Sequence, residues 1–234
     1  MFDKRFVLPA LAFVAGMGLF GAILASAILK TRAPSVTVKG LSEREVPADL
    51  AIWPLRFSVN ANDLTDLQRQ IIQSRKTVQE FLQAEGFSAA EISTPPPQIS
   101  DYSAVAVDDE KMKRPFLYSA RVTVLLRTAN VEGVKKALER CDRLVSQGIV
   151  LSSGEYMSGP QFLFTGLNTI KPDMIREATQ NARKAAEKFA EDSQSPVGKI
   201  RRANQGPFEV FDVDPSSPER KIVRVVATVD YELQ

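Results

Sequence analysis

The chain has 234 residues, 44% of them hydrophobic and 25% charged, an ordinary globular composition that excludes wholesale disorder and rod-like folds. Thirty lysines and arginines stand against 28 acids, a formal charge of +2, and no basic stretch is long enough for a nucleic-acid footprint, so no nucleic acid is expected as a partner. There is no histidine, which removes Ser-His and Cys-His nucleophile pairs and the usual zinc and haem ligand sets, and the lone Cys141 cannot form an intramolecular disulfide.

The N-terminus carries the first strong signal. Phe6 to Leu29 contains no charge. A helix of that length spans roughly 36 Å, enough to cross a bilayer core of about 30 Å. Lys4 and Arg5 precede the run, and Ala25-Ser26-Ala27 matches the small-x-small pattern of signal peptidase sites. Two fates compete. The run exceeds the apolar core of a typical cleaved signal, which favours an uncleaved anchor holding residues 6–29 in the lipid bilayer. Gly18, Ala22 and Ser26 fall four residues apart, a small-residue stripe along which a second membrane helix could pack. Residues 1–32 are therefore read as signal anchor and linker, and 33–234 as the exported part.

That part alternates between strand and helix patterns, with two similar halves at about 50–128 and 160–233. In the first, Leu55 to Asn60 alternates as a strand, and Asn62 or Asp63 caps a helix carrying Leu64, Leu67, Ile71, Val78, Phe81 and Leu82 at helical spacing. Gly86 ends that helix. A short strand near Ile92, prolines 95–97, a loop and a strand from Phe116 to Thr128 follow. In the second, Gln161 to Gly166 is a strand, and Pro172 opens a helix whose expected buried face is Ile175, Ala178, Ala182, Ala185 and Phe189. Strands from Lys199 to Gln205 and from Ile222 to Leu233 complete it. Between the halves, one helix from Val131 to Val145 is expected to bury Val131, Val134, Leu138, Cys141, Leu144 and Val145. Short connections make the strands antiparallel, and helices gathered on one face give an α+β fold.

Chemistry-bearing motifs are scarce. The mixed charges of Asp108 to Arg114 read as a solvated loop. Asp212 and Asp214 lack the third ligand and glycine turn of a calcium loop and read as surface residues. No Walker A, dinucleotide or GxSxG pattern occurs. Trp53, before Pro54, reads as a packing residue. No catalytic, cofactor-binding or metal-ligating residue is assigned, and an enzyme is not expected.

The stretch Val36 to Ala51, VTVKGLSEREVPADLA, resembles the opening of the SIMPL domain family, the domain of unknown function 541. Gly40, Glu43, Val46, Asp49 and Ala51 carry the resemblance, with the long helix that follows and the closing VRVVATVDYEL strand. It extends from about Val36 to Gln234. The Trp53-Pro54 pair and the loop from Asp101 to Arg114 depart from many members. The resemblance implies an exported bacterial protein with a duplicated α+β fold. Some members assemble into ring-like or channel-like homo-oligomers, and some are associated with oxidative stress; none supplies an active site. The expectation is a single-pass protein of the bacterial inner membrane, its C-terminal domain in the periplasm, self-associating as a structural subunit. The alternative is a soluble periplasmic binding module released by signal cleavage, its small-molecule ligand unknown.

Overall fold

A computed structural model describes residues 16–23, 34–103, 115–152 and 159–234. Residues 16–23 are helical and exposed. The rest of the apolar run lies outside the described residues, as do the 32/33 boundary and the charged loop 108–114. Among the described residues no helix is long and apolar enough to cross a membrane. The remainder is mixed α+β with antiparallel sheets, and it groups into two compact units, each discontinuous in sequence.

The larger unit takes in Arg44–Ile170 and Glu209–Val223. Its centre is the pairing of β2 (Leu50–Ala61) with β5 (Tyr118–Thr128), antiparallel from Ala51↔Thr128 to Ala61↔Tyr118. Alternation sends Ala51, Trp53, Leu55, Phe57 and Val59 inward from β2, and Ala120, Val122, Val124 and Leu126 inward from β5. Strand β3 (Ile92–Ser93) and strand β4 (Gln98–Asp101) pair with β5, and β6 (Gln161–Leu163) pairs with β2. Pro54 lies beyond the end of the β2–β6 ladder, a position that tolerates a residue without an N–H. Helix α1 (Leu64–Ala84) covers the sheet with Leu67, Ile71, Val78, Phe81 and Leu82 buried, while Leu64 is exposed. The Asp63 carboxylate accepts from the Asp66 N–H at 2.9 Å, and Gly86 at φ +96° closes the helix, with the Phe87 N–H bonded to the Leu82 carbonyl.

The single helix expected over 131–145 is two: α2 (Val131–Leu138) and α3 (Asp142–Ser146). Between them the Arg140 and Cys141 N–H groups bond three residues back, and Arg140 and Arg143 both reach the Glu85 carboxylate, at 2.8 and 3.4 Å. The break turns the apolar stripe. Leu144 is fully buried and Cys141 half-buried against the core, but Val145 and Leu138 face outward.

The smaller unit takes in residues up to Glu43, Lys171–Phe208 and Arg224–Gln234. Strand β1 (Ser35–Pro47), strand β9 (Arg220–Leu233) and strand β7 (Val197–Gln205) form a sheet in the order β1-β9-β7, with β8 (Glu209–Asp212) also pairing β9. Helix α4 runs from Leu167 to Ser193, so Pro172 lies well inside it and not at its opening. Its buried residues are Met174, Ala178, Ala182, Ala186 and Ala190. Of the expected face Ala178 and Ala182 are buried, but Ile175 is half-buried and Ala185 and Phe189 are exposed, so the buried stripe continues through the columns beside them. The alanines meet β1 at Gly40, where a Cβ would stand 1.9 Å from the Ala178 carbonyl oxygen. Only small side chains fit between backbones that close.

Candidate interaction surface

The five positions carrying the family pattern have separate structural duties. Gly40 allows the approach of β1 to α4. Glu43 stands 4.0 Å from the Arg224 Nε. Val46 is half-buried on β1, and Ala51 is fully buried. Asp49 is exposed, yet its carboxylate accepts from the Thr165 N–H at 2.7 Å and the Gly166 N–H at 2.9 Å, immediately before α4 begins. A carboxylate there satisfies orphan donors and faces the positive end of the helix dipole. These residues do not converge on a common point and hold the fold.

The membrane-helix stripe is only partly visible. Gly18 and Ala22 lie one turn apart on the helical stretch 16–23, exposed, with nothing within 4 Å of a Cβ placed at Gly18. Ser26 lies outside the described residues.

What remains as a candidate for interaction is the border of the β1-β9-β7 sheet. The apolar cluster beneath α4 takes Val36 and Val38 from β1, Val229, Tyr231 and Leu233 from β9, and only Val197 from β7. Beyond Val197 the cover ends, and every residue from Lys199 to Gln205 is exposed. Ile200 sits opposite buried Tyr231 and Ala203 opposite buried Val229, so the inward face of the sheet continues onto β7 without a roof. A groove of about 500 Å³ opens where α4 turns into β7, floored by Ala190, Pro196 and Val197. Its charged rim is satisfied internally, Arg183 bonding Glu187 at 2.8 Å and Lys188 bonding Glu191 at 3.0 Å. That favours a packing surface over an ion-binding one. The strand expected from Lys199 to Gln205 lies within the observed Val197–Gln205, but its place at the border has no local signal.

The electrostatics of the larger unit concern structure. Hydrogen bonds from the Thr128 hydroxyl and then from Ser88 hold the Glu91 carboxyl below its ordinary value. The Lys135 ammonium, 2.6 Å from Glu219, lowers the Glu219 pKa and has its own raised in return. Each carboxylate ties a chain turn to the sheet or to a helix.

No curated protein matches the chain. Residues 36–231 match the family described as SIMPL, protein of unknown function (DUF541), and with that match covering most of its length the chain belongs to the SIMPL family.

Proposed function

We propose that the protein is an exported, membrane-anchored structural subunit of the bacterial envelope, tethered by residues 6–29 in the inner membrane, with its C-terminal part in the periplasm self-associating into a homo-oligomer. The reading includes a duplicated strand-helix-strand-strand unit, supported by the similar element orders β2-α1-β3-β4-β5 and β6-α4-β7-β8-β9, each of which carries one further strand. The observation that carries the reading is the pair of long strands, β1 and β7, at the two borders of one sheet. Unpaired borders present rows of N–H and C=O groups that another chain can complete. Strand β7 carries Lys199, Arg201 and Arg202 and no acid, whereas β1 balances Lys39 and Arg44 with Glu43 and Glu45. Two β7 borders repel, and β7 against β1 of the next copy does not. Such head-to-tail pairing joins unlike surfaces and closes a ring when the rotation allows.

Sedimentation of the chain lacking residues 1–32, across a concentration series, tests this. A defined oligomer is expected, weaker than that of the full chain because confinement to one membrane raises local concentration. Ile200→Lys, placing a charge on the open face of β7, is expected to shift it toward monomer. Monomer at every concentration, together with a mature N-terminus at Ile28, would make the protein a soluble periplasmic binding module instead.

A further inference from the structure

Within the larger unit one buried group has no evident structural need. The inward row of β9 reads Lys221, Val223, Val225, Ala227, Val229 and Tyr231, and Lys221 is buried along with its apolar neighbours, at 8% exposed. Lysines are almost never buried unless paired, and a well-packed apolar residue often serves stability as well as a buried ion pair. The Lys221 ammonium is paired with the Asp212 carboxylate of β8, a strand exposed along its whole length, and the Asp212 side chain is 46% exposed. The cation is therefore inside, and its counter-ion stands toward water. Both line a cleft of about 350 Å³ whose other walls include Pro160, Phe162, Leu163 and Pro218. That volume falls within the range of small-molecule sites, and apolar walls with one charged group match their usual make-up. The neighbouring ions are engaged elsewhere, Lys135 with Glu219 and Arg220 with Glu45.

We propose that this cleft binds a small organic monocarboxylate, whose anionic group takes the place of Asp212 on Lys221 while its apolar body lies against Phe162 and the prolines. Asp212 then acts as an internal competitor that keeps the buried ammonium paired when the cleft is empty. The site is independent of self-association through β1 and β7, so either can fail alone.

Equilibrium dialysis of radiolabelled benzoate against the full chain in a non-ionic detergent tests the site, with neutral benzamide as competitor. Saturable binding of one benzoate per chain is expected, unaffected by benzamide. Lys221→Met removes a charge-assisted contact and is expected to weaken binding about tenfold or more. Asp212→Asn has the opposite sign: it removes the competitor and tightens binding, and benzoate raises the melting temperature of this variant more than that of the parent. Absence of saturable binding, equal displacement by benzamide, unchanged affinity in Lys221→Met, or weaker binding in Asp212→Asn would each overturn the proposal. Should Lys221→Met fail to fold, the sign of the Asp212→Asn effect decides.

Discussion

The two units reach stability by different routes. The larger joins Trp53, Phe57, Phe81, Phe87 and Phe162 with branched aliphatics into one continuous cluster of buried side chains, so its core is filled by volume. The cluster beneath α4 in the smaller unit is Val36, Ala182, Ala186, Val229 and Tyr231, and the helix presents a stripe of alanines to a glycine on β1. There the backbones approach closely and little side-chain volume intervenes. A core of large groups is sensitive to deletion, which leaves cavities, and a core of close backbones is sensitive to addition, which forces them apart.

Substitutions of opposite sense test this contrast. Trp53→Ala empties the centre of the β2–β5 sheet, where the indole is 1% exposed, and should cost about 3–5 kcal/mol by chemical denaturation. Gly40→Ala adds one methyl group against the α4 backbone and should cost about 1–3 kcal/mol. Amide exchange would sharpen the comparison: Trp53→Ala should loosen β2, β5 and α1, and Gly40→Ala the residues of β1 and α4 beside it. If Gly40→Ala were neutral, or each loosened both units alike, the contrast in packing would not hold.

The smallest expected effect concerns acid. Glu219 is held below its ordinary 4.5 by Lys135, so around that pH the unfolded chain binds more protons than the folded one. Its contribution is present above about pH 4.5 and is lost as pH falls through the folded value. Lys135 behaves in the reverse sense, its contribution lost as pH rises through a folded value above 10.5. Glu219→Gln should therefore flatten the acid limb of melting temperature against pH. An acid limb as steep as the parent's would remove the assignment of acid sensitivity to this pair.

Sequence alone located what depends on neighbours a few residues apart. The alternation of β2, the strand stretches of β5 and β9, a cap at Asn62 or Asp63, the stop at Gly86 and the apolar spacing of α1 are all local patterns, because strand and helix periods repeat within the chain that carries them; the structure assigns the cap to Asp63. The family pattern from Val36 to Ala51 was legible for the same reason, but the duties of its residues were not. Asp49 bonds backbone groups 116 and 117 positions away, and Gly40 is required by a helix that begins more than a hundred residues later. Tertiary contact also decided which face of α4 is buried. Ile175 and Phe189 lie within a residue of the true stripe, and a helical period cannot tell adjacent columns apart until a close backbone admits alanine and turns phenylalanine outward. At the split at residues 139–141 two arginines meet Glu85, and Lys221 is buried where β8 brings Asp212 to it. Such pairings join segments that share no period, so only the folded chain brings them together.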